Sequence, residues 1–130
     1  VKLKSLRVDA KRETDGAWIE APDIGEGVAF KVRGLNYAPY EIARQQMMRR
    51  LGRTTKGKPL PSGEILPHVG RLLAEHILLD WRGFDDPYSP ELAMEIMVDA
   101  EYRAVINRVE IAAQEVGEAD VQFVEDAAKN

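Results

Sequence analysis

The 130-residue chain is predicted to be α+β: a small antiparallel β unit over residues 1–35, then a mainly helical part of four to five helices over 36–130, all in one domain. Three observations carry this. The apolar period is near two as far as Leu35 and near 3.6 after Asn36. An Asp15-Gly16 pair, a hairpin-type turn signal, separates two strand-like runs. Farther on, Ser89-Pro90-Glu91 reads as a helix start, followed by the longest unbroken helical stripe in the chain.

The elements follow in order. Residues 3–8 alternate roughly and read as a strand. Residues 17–21 follow the turn, with Trp18 and Glu20 on one face and Ile19 on the other. The run 22–27 contains two glycines and reads as a loop. Over 28–35, Val28, Phe30 and Val32 point one way and Ala29, Lys31 and Arg33 the other, which implies one buried sheet face. Asn36 is a plausible N-cap for a helix whose stripe is Tyr40, Ala43, Met47 and Leu51, and Gly52 is expected to end it. Gly, Pro and Lys dominate residues 53–63, read as a mobile basic loop. A helix from about Glu64 or Leu66 to Leu79 is striped by Ile65, Val69, Leu72, Leu73 and Ile77. Its regular part is expected to begin near Pro67.

The acidic turn after it holds Asp80, Trp81, Gly83 and Phe84. These residues, with Ser89 and Pro90, are expected to form a packed structural corner, because large aromatics in a turn usually plug a core. Arg82 is positioned to cover Trp81. Ser89 caps the next helix, with Ala93, Ile96 and Met97 inward. Asp99 caps another, striped by Tyr102, Val105, Ile106, Val109, Ala113 and Val116. Gly117 is expected to break it, with a fifth helix through Phe123, Val124 and Ala127.

Composition narrows the function classes. Absence of cysteine removes disulfides, Cys–metal sites and thiol catalysis. No apolar run reaches the roughly 18 residues of a membrane span, and the first residues lack a signal peptide's apolar core, so a cytoplasmic protein is expected. Residues 1–60 carry 13 Lys/Arg against 7 Asp/Glu, and residues 61–130 carry 5 against 15. A basic half and an acidic half can attract each other, or copies of the same chain.

Few constellations suggest chemistry. His68 and His76 lie eight residues apart, about 80° around a helix, which does not place them on one metal. Asp80, Asp85 and Asp86 lack the alternate spacing and closing Glu of a calcium loop, and read as a solvated turn before a helix N-terminus. The basic stretch Arg44, Arg49, Arg50, Arg53, Lys56 and Lys58 reads first as a solvated face, then as a protein contact. Nucleic acid is disfavoured, because no aromatic lies between Gln45 and Leu60 to stack on bases. Without a nucleophile–base pair or metal cluster, no catalytic residue, metal or cofactor is assigned.

The run "LLAEHILLDWRGF", followed by "PYSPELAMEIMVDAEYRAVINRVEIAA", resembles the tail assembly chaperones of long-tailed bacteriophages and prophages. Asp80, Trp81, Gly83, Phe84, Tyr88, Ser89, Glu91, Asp99, Tyr102 and Arg103 carry the likeness. The strand leading into a Tyr-rich helix over 30–41 adds to it. The resemblance implies a non-enzymatic protein of the bacterial host cytoplasm. It would coat the long helical tape measure protein, keep it soluble and help recruit tail tube subunits. Self-association along the client is a further expectation. The alternatives are a structural virion component, such as a tail or head-completion protein, and a nucleic-acid-binding regulator. Met47 and Met97 lie on helix stripes and belong to the core. Met48, Met94, Arg49, Arg50, Arg53, Phe123 and Val124 are the candidate partner-binding residues, with Met offering contacts that repack easily.

Overall fold

A computed structural model describes residues 1–118. Within them the architecture is α+β: helices packed on one face of a three-stranded antiparallel sheet. After a 3₁₀ turn at Leu3–Leu6 come α1 (Ala10–Asp15), β1 (Ala17–Glu20), β2 (Ala29–Val32), α2 (Ala38–Thr54) and α3 (Ser62–His76). Then follow β3 (Leu78–Arg82), α4 (Pro90–Met97), a 3₁₀ turn at Ala100–Tyr102 and α5 (Arg103–Val116). The fifth helix expected through Phe123, Val124 and Ala127 lies outside the described residues.

The sheet order is β1-β2-β3. Ile19, Phe30 and Trp81 stand in register across it on the core face, and Trp18, Lys31 and Asp80 stand in register on the other. A bulge explains the third strand. Phe30 pairs with Trp81 and Lys31 with Asp80, but Val32 pairs with Leu78, so Leu79 is an extra residue. That insertion lets Leu78 and Trp81, three residues apart, both be buried on the core side. α5 lies against β1 and β2 with Ile106, Val109, Ala112, Ala113 and Val116 buried, and α3 packs between α2 and α4.

Several expectations are corrected. Residues 3–8 are not a strand: Leu3 and Leu6 are exposed in a 3₁₀ turn. Residues 10–15 form a helix because the Asp9 carboxylate accepts the Arg12 amide hydrogen at 3.1 Å, an N-cap. Asp15-Gly16 closes that helix rather than a hairpin, with Gly16 at φ 89°. Gly52 does not end its helix, which runs to Thr54. The reversal falls instead at Lys56 and Gly57, both with positive φ. The basic loop is shorter than 53–63, since both of its ends are helical. α3 starts at Ser62 and carries Pro67 inside it. Pro67 has no N–H to offer the carbonyl of Gly63, four residues earlier, and Gly63 is an exposed residue of the first turn, where helix carbonyls can be solvated. Asp80 and Trp81 belong to a strand, not to a turn between helices, so the sheet draws on residues well beyond the 1–35 unit.

Two arginines tie the layers. Arg33 donates from Nε to the Thr14 carbonyl at 2.9 Å and from Nη1 to the His76 carbonyl at 3.0 Å, holding the C-terminal ends of α1 and α3. Arg108 donates to the Asp23 carboxylate and the Glu20 carbonyl, pinning α5 to the β1–β2 connection.

Tyr40 is the largest fully buried side chain. Its hydroxyl has no hydrogen-bond partner among the described residues. Burial pushes its pKa up to about 12. Arg44 opposes that rise, and Glu110 adds to it. A raised folded-state pKa means stability present below the unfolded value near 10 and lost as pH climbs through about 12. Two units correspond to about 2–3 kcal/mol. Tyr40→Phe is expected to change stability little at neutral pH, because it removes an unpartnered hydroxyl. It should also flatten the alkaline loss of stability, and urea melts at pH 7 and 11 check both.

Candidate protein-binding surface

α2 is held by one stripe. Tyr40 and Met47 are buried and Ala43 and Leu51 half-buried, with α3 as the main neighbour. The rest of its circumference faces solvent. Ile42 and Met48 are exposed, as are Arg44, Arg49, Arg50 and Arg53, set against the single acid Glu41. Among the described residues none of these four arginines forms an ion pair, whereas Arg71, His76 and Arg108 each do. A groove of about 720 Å³ runs along this face, with Leu35, Tyr40 and Met48 as apolar wall and Arg44, Arg49 and Gln45 at its edge. On the other flank, Arg50, His68 and Arg71 line a second groove of about 390 Å³ over Met47 and Leu72.

Met48 and Arg49 therefore share one groove, and Arg50 turns into the other. Arg53 is exposed on the last turn. Met94 is half-buried on α4 and lines neither groove. Phe123 and Val124 lie outside the described residues. Met47 and Met97 are core, as their stripes require.

The corner is built around Trp81. Its indole Nε1 donates to the Asp86 carbonyl at 2.9 Å, closing the 82–86 turn. Tyr88 meets the Trp81 ring edge-on at 5.1 Å and Phe84 at 5.9 Å, both favourable quadrupole geometries. Burial, with Asp80 and Glu91 nearby, raises the Tyr88 pKa. The Trp81 amide donates to its neighbour's Asp80 carboxylate at 2.8 Å, which blunts an edge strand. Gly83 has φ 88°, and a Cβ there would overlap the Gly27 carbonyl and the Val28 backbone. Ser89 Oγ accepts from the Leu92 amide at 3.1 Å, the expected N-cap, with Pro90 opening the helix. Arg82 does not cover Trp81. It stacks on Trp18, 4.6 Å from the ring centre, because β3 turns Arg82 to the outer face and Trp81 inward.

Phe84 is only half covered, at 37% exposed. With Phe30, Trp81 and Tyr102 it walls a cavity of about 200 Å³, completed by Ile96 and Val105 and edged by Asp86. Nothing in the sequence pointed to this cavity, because Tyr102 and Val105 reach it from the 3₁₀ turn and α5, far along the chain.

Among the described residues no three His, Asp or Glu side chains gather as metal ligands, and no helix is long and apolar enough to cross a membrane. Comparison with curated proteins and with solved structures gives no match. The family model of the YdaY prophage protein matches residues 35–130, from the end of the first sheet hairpin through all the later helices and the corner. The chain belongs to the YdaY prophage protein family.

Proposed function

We propose that this prophage protein is a tail assembly chaperone without catalytic activity. In the host cytoplasm it binds helical segments of the tape measure protein, keeps them soluble and helps recruit tail tube subunits. The observation that carries the reading is the outer face of α2. Its groove has an apolar wall, exposed Met48, and arginines with no carboxylate partner among the described residues. Such a face suits an amphipathic client helix, apolar along one stripe and acidic beside it. Methionine accommodates many apolar side chains, and arginines with no ion pair among the described residues add charge attraction.

The test is co-expression with the tape measure protein of the same prophage. Soluble tape measure protein should rise several-fold and co-purify with the chain. Met48→Asp/Arg49→Glu should abolish co-purification while leaving the thermal midpoint within a few degrees, since both side chains are exposed. No gain in tape measure solubility would sink the proposal. So would recovery of the chain as a stoichiometric subunit of purified particles.

A further inference from the structure

The corner cavity is aromatic with acidic residues beside it, and the loop after α2 is basic and carries two prolines. Four aromatic side chains wall the cavity. Exposed acids surround it in the chain: Asp85 and Asp86 beside Phe84, Glu95 beside Ile96, and Glu101 beside Tyr102. Lys31 and Arg82 adjoin Phe30 and Trp81 but stand on the outer face of the sheet, which leaves Arg103, beside Tyr102, as the basic residue adjoining the cavity.

The loop reads "KGKPLP" over 56–61. Lys56 and Gly57 have φ of 54° and 80°, which turns the chain sharply outward from the end of α2. Lys56, Lys58, Pro59 and Pro61 are exposed, and Pro61 has φ −57° and ψ 146°, near polyproline II values. Leu60 is half-buried and, with Ile65, lines a groove at the end of α2 that anchors the loop from below. A basic segment that runs into a Pro-Leu-Pro stretch is the kind of ligand that aromatic grooves with acidic edges take. The prolines lie on the rings, little chain entropy is lost, and the lysines meet the acids.

We propose that the segment 56–61 of one copy docks in the aromatic corner cavity of a second copy. No residue lines both the loop's groove and the cavity, which is walled from β2, β3, the following turn, α4 and α5. Docking therefore joins two chains head to tail. The contact uses different patches on the two copies, so it propagates beyond a dimer. It is far smaller than a stable interface, so it operates at high protein concentration or along a shared client. The proposal does not depend on the chaperone reading, although Met48 lines both the α2 groove and the groove that seats the loop.

Sedimentation velocity on the isolated protein tests this directly. At low ionic strength the wild-type sedimentation coefficient should rise with concentration past the dimer value, and salt should return it to the monomer. The loop variant Lys58→Ser/Pro59→Ser and the cavity variant Asp85→Asn/Asp86→Asn alter exposed side chains, and the Asp86 carbonyl that holds Trp81 is kept. Each variant alone should stay monomeric. An equimolar mixture retains one intact loop–cavity pair and should stop at dimers. A wild type that remains monomeric would overturn the proposal and leave the cavity to another protein. Saturation at a dimer, association of either variant alone, or a mixture that stays monomeric would overturn it equally.

Discussion

Gly70→Ala is expected to destabilise the protein by roughly 3 kcal/mol, the upper part of the range for overpacking a tight core. Gly70 is fully buried in α3 where α4 ends. A Cβ there would overlap the Met97 carbonyl oxygen and carbon, which are backbone atoms and cannot rotate away, with Ile106 Cδ1 close behind. Relief requires α3 and α4 to separate, and that movement unseats Met97 and Ile106, both fully buried. Helix propensity pulls the other way, since Ala is about 1 kcal/mol better than Gly in a helix interior, but the clash is the larger effect. Gly52→Ala isolates the propensity effect. Gly52 lies exposed in α2 with nothing within 4 Å of its would-be Cβ, so that change should stabilise by up to about 1 kcal/mol. Urea midpoints for the two variants should move in opposite directions. An unchanged or raised midpoint for Gly70→Ala would mean that the α3–α4 contact has slack.

Trp81→Ala is expected to cost about 3–5 kcal/mol, as for other buried Trp and Phe truncations. Three losses combine. The ring is 8% exposed and packs in register with Phe30, its edge-on contacts to Tyr88 and Phe84 disappear, and the Asp86 carbonyl loses its donor. Trp81→Phe separates these contributions. It keeps an aromatic ring in the core and removes the indole donor beside an exposed residue, so about 1 kcal/mol should be lost. If the proposed function holds, tape measure capture by the Phe variant should match wild type, because the α2 groove and the corner share no lining residue. A Trp81→Ala protein with an undiminished urea midpoint and no client capture would make the corner a binding site first and a packing element second.

Helix α2 was legible because its stripe of Tyr40, Ala43, Met47 and Leu51 depends only on helical geometry, and the core is where it must go. The same holds for α5, apart from its first turn. Tyr102 was read as inward and is 45% exposed, because Asp99 caps a 3₁₀ turn there before the α-helix starts. The N-cap at Ser89 was equally readable, since a cap is a contact across three residues. The candidate surface was only half legible. Met48 and Arg49 were recognisable as off the stripe, but the groove beside them is formed with Leu35 from outside the helix.

What local order along the chain determined by itself is the pair β1–β2, the four longer helices within the described residues, the facing of their stripes and the corner's cap. The third strand was decided by tertiary structure alone. Its bulge at Leu79 spaces the buried residues Leu78 and Trp81 by three, which imitates a helix turn and hides the strand's period of two. Only pairing with β2 makes that segment a strand, and only its being a strand turns Trp81 inward and Arg82 outward onto Trp18. The corner cavity and the Gly70 contact have the same origin. Each is a distance between segments far apart in the chain, and such distances exist only once the apolar faces have been buried against one another.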